Sequence, residues 1–206
     1  LNWLDFCTEK NFFIMKKKKC LFLGYTNKET NLINFLRKKN FIVSEYRNKL
    51  LSINLIKKYD LILSYGYRKI IKKNIIKNLK RPIINLHISY LPHNRGADPN
   101  FWSFKNKTPK GVTIHEIDSG IDTGDILFRK KIKFLIKKDT SFKHTYFILR
   151  NEIEKLFKKN CTKIISGKYS KIKQIYKKKL NLKKNLPKKL NWDTPIKKFI
   201  IYFFYI

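Results

Sequence analysis

Pro82-Ile83-Ile84-Asn85-Leu86-His87 is an apolar run that closes on two polar residues two positions apart. As a strand it would be buried on both faces, with Asn85 and His87 side by side on one face at its carboxyl end. Similar runs recur upstream: Cys20-Leu21-Phe22-Leu23-Gly24 after the four lysines Lys16 to Lys19, then Phe41-Ile42-Val43, then Leu61-Ile62-Leu63-Ser64 before Gly66. Between them the spacing is helical, over 28–39 (Leu32, Phe35 and Leu36 on one side), 53–58 and 70–79. Strands alternating with helices of this length imply βαβ units, hence an α/β fold with a doubly wound, mostly parallel sheet and helices on both faces. In such sheets ligands bind beyond the carboxyl ends of the strands, here Gly24-Tyr25-Thr26, Ser64 to Tyr67 and Asn85 to Ser89. Gly24 has no GxGxxG around it, so a dinucleotide site is not supported.

Downstream the pattern predicts a short helix at 100–104 and an alternating strand at 111–117, with Val112 and Ile114 set against Thr113 and His115. The carboxylate- and glycine-rich turn Asp118-Ser119-Gly120-Ile121-Asp122-Thr123-Gly124-Asp125 follows, then a strand at 126–128. A long helix over about 140–165 could be capped by Thr140 or Ser141. This divides the chain into an extension over 1–14, one domain over 15–166, and a short lysine-rich C-terminal appendage over 167–206 with one hairpin or helix. The single methionine, Met15, suggests that residues 1–14 lie upstream of the natural start; the alternative is a helix packed on the domain. The apolar run Phe199 to Ile206 reads as a buried strand or helix end, or as a chain cut short.

The 206 residues carry a formal net charge of +34, which ordinarily points to nucleic acid or an anionic membrane. Composition weakens that reading. Ala97 is the single alanine, only 7 of the 48 basic residues are arginine, and Lys, Ile, Asn, Phe and Tyr abound, the set that A/T-rich codons encode. The lysines are also spread along the whole chain instead of forming one stripe. A content of 43% hydrophobic residues is enough for a core and excludes wholesale disorder. No apolar run reaches the roughly 18 residues needed to span a bilayer. Cys7, Cys20 and Cys161 are unpaired in spacing and read as reduced thiols, so the expected location is the cytoplasm, with no membrane partner and no metal-ligand set.

Asn85, His87 and Asp122 are the chemically suggestive set. A carboxamide and an imidazole can stabilise an oxyanion, and a carboxylate can orient the imidazole and move protons, which is what acyl transfer requires. Spacing alone equally allows a hydrogen-bonded histidine at a strand end and an aspartate that caps its own turn. His93 could be an exposed loop residue or touch substrate, while His115 and His144 read as structural and surface residues. The aromatics Phe101, Trp102 and Phe104 read as core more readily than as a base-stacking platform. Arg95 could hold a substrate phosphate bidentately or stabilise its own loop.

Taken together, Ile84 to Pro92, Asn94-Arg95-Gly96-Ala97-Asp98-Pro99, Gly111-Val112-Thr113-Ile114-His115 and Ile121-Asp122-Thr123-Gly124-Asp125-Ile126 resemble the formyltransferases that use 10-formyltetrahydrofolate. The resemblance spans Cys20 to about Phe128, with Ser64 to Ile71 as a weaker part. It implies a Rossmann-like fold with Asn85, His87 and Asp122 as the catalytic trio. In that scheme Asn85 and His87 hold the oxyanion, and Asp122 helps the folate nitrogen leave as a protonated amine. It also implies a folate pocket lined by Lys69, Ile70 and Ile71, by Ser89, Tyr90, Leu91 and Pro92, and by Asp118, Ser119, Gly120 and Ile121. Arg95 and Ala97 would face the acceptor, and no metal is required.

Within the family, the residues after Phe128 are too few for the C-terminal barrel domain of methionyl-tRNA formyltransferase, so that domain is not expected in residues 129–206. The runs Arg95 to Trp102, Thr108 to His115 and Asn191 to Ile196 are most similar to small N-formyltransferases acting on dTDP-linked amino deoxysugars. The partners then expected are two small molecules, formylfolate and a nucleotide amino sugar, and a homodimer is a further expectation. The competing expectations are formyl transfer to Met-tRNA or glycinamide ribonucleotide, a basic nucleic-acid-binding module, and an inactive relative.

Overall fold

The computed structural model describes residues 17–199 except 48, 176–179 and 189. The sheet has six strands: β1 Lys18–Gly24, β2 Phe41–Tyr46, β3 Leu61–Tyr65, β4 Ile84–His87, β5 Gly111–Glu116 and β6 Ile126–Lys131. Their order is β2-β1-β3-β4-β5-β6. The first four run parallel, and β5 and β6 are antiparallel to their neighbours. Among the described residues five α-helices accompany it: α1 Leu32–Lys38, α2 Ile53–Ile56, α3 Lys73–Lys77, α4 Pro99–Lys105 and α5 Phe142–Ser166. The expected doubly wound, mostly parallel sheet is therefore present.

Period-two alternation on the buried strands feeds two cores. Cys20, Phe22, Leu61, Leu63, Ile84, Leu86, Val112 and Ile114 face α1 and α5, where Leu36, Leu149, Ile153 and Phe157 close the layer. Leu21, Leu23, Ile62 and Ile83 face the other way, under Ile56 of α2 and Ile75 of α3. Both faces of β1 and β3 are covered, which is why those strands read as unbroken apolar runs. Asn85 and His87 share the side of β4 that faces away from α5, in line with Ile83.

Three helices are shorter than their sequence spacing suggests, α2 by ending at Ile56. α1 begins only at Leu32 because Thr26 accepts from the Glu29 and Thr30 N–H groups while the Glu29 carboxylate accepts from Thr26, which closes a turn first. α3 begins at Lys73, and Lys69 to Lys72 run without helix along the mouth of a cavity. α5 matches its expected span. Ser141 Oγ accepts from the His144 N–H, and Gly167 ends the helix at φ 71°.

A third core joins α4 to the chain's end. Phe101, Trp102, Phe104 and Phe142 pack with Ile196 and Phe199, and the Phe101 ring lies 5.1 Å from Phe199 and 5.5 Å from Phe142. The aromatic set of α4 is thus core. The C-terminal appendage is laid back over the domain as a strap. Ile172 pairs with Ile126, Asn181 with Gly96, and Pro195 with Ser141. Among the described residues no helix is long and apolar enough to cross a membrane. Residues 1–14, Cys7 among them, and most of the apolar end run lie outside the described residues.

Candidate active site

The antiparallel register of β4 and β5 sets Asn85 directly opposite His115, on the same face. The His115 Nδ1 lies 2.7 Å from the Glu116 carbonyl oxygen and donates to it. Its Nε2 is left to accept from the Asn85 amide at 3.0 Å. His115 is buried and satisfied, as the sequence suggested, but its partner is the Asn85 side chain. One Asn85 amide hydrogen is held there and the second is available to a ligand.

His87 is anchored in a similar way. Its ring hydrogen-bonds to the backbone of Asn94, while its Nε2 is buried and has no hydrogen-bond partner among the described residues. The Asn94 contact therefore belongs to Nδ1–H, and the Nε2 lone pair faces Asp122 Oδ2 at 3.6 Å. Burial pushes the His87 ring below the usual imidazole range, against the pull of Asp122 and with a push from His115. It is a neutral base at neutral pH.

Asp122 stands at φ 53°, a left-handed backbone rare outside glycine, between Gly120 and Gly124. Its Oδ2 accepts from the Gly96 N–H at 2.8 Å, and its Oδ1 is 3.6 Å from the His115 Nε2. Burial alone would raise this carboxyl. The His87 and His115 rings and the Gly96 N–H outweigh it and hold the group far below the ordinary carboxylate range. Asp122 is an anion with no proton to give, which bears on the role expected of it. Gly96 must be glycine: it stands at φ 92°, and a Cβ there would come 2.3 Å from the Asn181 carbonyl oxygen.

A cavity of about 1000 Å³ opens over this trio along the carboxyl edge of the sheet. That is the top of the range for a single ligand site, and two co-substrates would share it. One end is lined by Lys69, Ile70, Ile71, Asp118, Ser119, Gly120 and Ile121, the segments expected to hold folate. Ile70 there is 76% exposed, an apolar side chain left to water at the cavity mouth. Ser89, Tyr90, Leu91 and Pro92, expected beside them, do not line the cavity. Their polar groups are already used: Thr113 Oγ1 donates to the Ser89 carbonyl and accepts from the Leu91 N–H, Ser89 Oγ donates to the His93 carbonyl, and Arg129 covers the Tyr90 ring. Ala97 lines the cavity, but Arg95 is buried behind the loop and does not. The turn at Gly96 sends the two side chains to opposite sides.

The other end was legible in the sequence only through Tyr25 and Tyr65, at two of the strand ends expected to face a ligand. It is built by Tyr25, Tyr65, Tyr146, Lys143 and Arg150, with Leu182, Lys183 and Trp192 from the strap. The Arg150 guanidinium lies 4.4 Å from the Tyr25 ring centroid and donates to the Glu29 carbonyl and the Tyr65 hydroxyl. The Tyr25 and Tyr146 hydroxyls are 2.7 Å apart. Tyr146 and Arg150 stand four apart on α5, the one sequence signal that could have placed them together. Asp98, at φ 50°, sits at the N-terminus of α4 without capping it and faces this end, half-buried, with its carboxyl raised by burial against the pull of Lys183 and Arg68.

Comparison with known proteins places this geometry. The family model for formyl transferase matches residues 8–157. The formyltransferase PseJ from Anoxybacillus kamchatkensis, solved with UDP-4,6-dideoxy-4-formamido-L-AltNAc and tetrahydrofolate, is 41% identical. That match covers 87% of this chain and 96% of PseJ, with a TM-score of 0.79. The sugar 3N-formyl transferase WlaRD, solved in the presence of dTDP and 5-N-formyl-THF, is 25% identical over 83% of this chain and 72% of its own, with a TM-score of 0.69. The methionyl-tRNA formyltransferase of Prochlorococcus marinus is 35% identical over 103 residues, 50% of this chain and 31% of that protein. The chain thus spans less than a third of that curated relative.

Proposed function

The chain belongs to the formyl transferase family, and from that premise we propose that it moves a formyl group from 10-formyltetrahydrofolate to the primary amine of a nucleotide-linked amino deoxysugar. The observation that carries the proposal is the buried His87 Nε2, without a hydrogen-bond partner among the described residues and 3.6 Å from the Asp122 carboxylate, which with Asn85 lines the cavity of about 1000 Å³. One end offers the apolar Ile70 and Ile121 and the turn 118–121 to a flat folate. The other offers aromatic rings and the cations Arg68, Lys143, Arg150 and Lys183, which suits a nucleoside diphosphate. In this reading these cations take the phosphate-binding role that the sequence offered as one of two for Arg95.

Formylfolate supplies the electrophilic carbon and a leaving amine. His87, neutral, accepts a proton at Nε2 from the attacking amine, and the imidazolium so formed is stabilised by the Asp122 anion. The free Asn85 amide hydrogen meets the charge that develops on the formyl oxygen. The imidazolium then returns its proton to the departing amine. Proton traffic runs through His87, and Asp122 acts as a fixed charge. Because Nδ1 of His87 is tied to the Asn94 backbone and His115 fixes the Asn85 amide, both groups meet the substrate already oriented.

The test is incubation with 10-formyltetrahydrofolate and a panel of acceptors: dTDP- and UDP-linked 4-amino and 3-amino deoxysugars, glycinamide ribonucleotide and Met-tRNA. A mass gain of one formyl group on an amino sugar is the expected result. The dTDP and UDP arms separate the nucleotide suggested by sequence from the one bound to PseJ. Preferred formylation of Met-tRNA would overturn the acceptor assignment.

A further inference from the structure

Gln174, the chain's single glutamine, lies in the strap and touches the turn that carries Asp122. Its Nε2 donates to the Asp122 carbonyl at 3.1 Å and to the Gly124 carbonyl at 2.7 Å. Both amide hydrogens are spent on the second half of the turn. The first half is closed separately, by Asp118 Oδ1 accepting from the Gly120 N–H and the Thr123 hydroxyl. Two residues before Gln174, Ile172 exchanges two 2.9 Å backbone hydrogen bonds with Ile126, which fixes where the strap lies along the chain leaving the turn.

The strap then returns to the other partner of the Asp122 carboxylate. Asn181 accepts from the Ala97 N–H at 2.9 Å and donates to the Arg95 carbonyl at 3.0 Å, bracketing Gly96. Gly96 is the residue whose N–H donates to Asp122 Oδ2. One strap therefore holds the acceptor end of this hydrogen bond through Gln174 and the donor end through Asn181. A left-handed, non-glycine backbone such as that of Asp122 persists only where its surroundings over-determine it.

We propose that Gln174 is a positioning residue for the formyl transfer: it holds the Asp122 backbone so that the carboxylate stays against His87. The proposal rests on Asp122 acting in that reaction. Gln174 touches the turn and not the reacting atoms, so its loss should act on kcat and not on substrate binding.

The test compares Gln174→Met, which keeps the side-chain length and removes both donors, with Gln174→Lys, which returns a donor. Asp122→Asn and Ile196→Ala run in parallel, the last as a control that loosens the strap in its aromatic core, away from the turn. Gln174→Met should lower kcat by about 10²-fold, as misplacement by about 1 Å does. KM for formylfolate and acceptor should stay within about threefold, and the acid limb of the pH–rate profile should move to lower pH, as in Asp122→Asn, because the imidazolium has lost its anion. Gln174→Lys should regain about tenfold or more in kcat, while Ile196→Ala lowers Tm and leaves kcat and the limb in place. Should Gln174→Met fail to fold, Gln174→Asn carries the same comparison with a shortened reach. An unchanged kcat and limb in Gln174→Met beside a deficient Asp122→Asn overturns the proposal alone. So does a loss that only tracks a lowered Tm with an unmoved limb. Full turnover in Asp122→Asn overturns the role of Asp122, and the proposal with it.

Discussion

Replacing Asp122 by Asn removes one charge and almost no volume. The asparagine oxygen can still accept the Gly96 N–H that Asp122 accepts at 2.8 Å, so the turn and the fold should survive. What disappears is the anion 3.6 Å from the His87 Nε2. For two unit charges at that distance, an effective dielectric constant of about 20 gives about 4.6 kcal/mol as a ceiling on imidazolium stabilisation. If half to most of it is realised, kcat should fall by about 10²–10³-fold. The sign of the pH effect follows from the same charge. His87 must be neutral to accept a proton, and burial already lowers its pKa, so turnover of the parent should rise through a limb below about 6.5 and be flat above it. Without the anion the imidazolium is disfavoured further, and the limb moves lower by more than a unit. The assay is formylation of the best acceptor across pH 4 to 9, in buffers of constant ionic strength, with Tm followed in parallel. A rate within about fivefold of the parent, or a limb that moves upward, would refute the assignment of Asp122 as a fixed counter-charge.

Other consequences can be measured independently. Asn85→Ala removes the donor aimed at the formyl oxygen and should cost about 10²–10³-fold in kcat; a rate near that of the parent would refute the assignment of Asn85 to the oxyanion. A stable formylfolate analogue at about 100 times its Kd should stabilise the fold by about 2.7 kcal/mol, a rise of several degrees in Tm. Ile70→Asp should abolish that rise without lowering the basal Tm, since Ile70 is 76% exposed at the cavity mouth; an undiminished shift would place the analogue elsewhere. Ile153→Ala, in the core between α5 and the sheet, should cost about 2–5 kcal/mol by denaturant unfolding with kcat unchanged below the transition; a loss under 1 kcal/mol would mean that this layer is not closely packed.

The parallel half of the sheet could be read because burial on both faces leaves a signature that survives composition bias: no lysine can be inserted into Cys20 to Gly24 or Leu61 to Tyr65 without entering a core. Asn85 and His87 were legible for a related reason. Two polar side chains on one face of a buried strand require a partner, and a strand's carboxyl end is where this architecture leaves room for one. The beginning of α1 was not legible because a local side-chain bond, Glu29 to Thr26, competes with helix over the same residues. The Ser89 to Pro92 loop shows the converse: motif resemblance assigned it to ligand, while Thr113, on the facing strand, already satisfies its backbone.

The strap escaped notice because its contribution is carried by main-chain pairing and one glutamine, and neither leaves a period in the sequence. Over residues 167–199 lysines are interleaved with apolar residues in no regular period, and such a stretch has no propensity to dock by itself. It is held by Ile196 and Phe199 in the aromatic core at one end and by Ile172 beside β6 at the other. Between those anchors the chain passes both sides of the Gly96–Asp122 hydrogen bond and supplies part of the cavity wall. Docking residues 172–181 of the strap and completing the active site are therefore one event. Conditions that release it should silence the transfer before they unfold the sheet, and the order of the two losses on heating or in denaturant is a direct measure of how far catalysis depends on this segment.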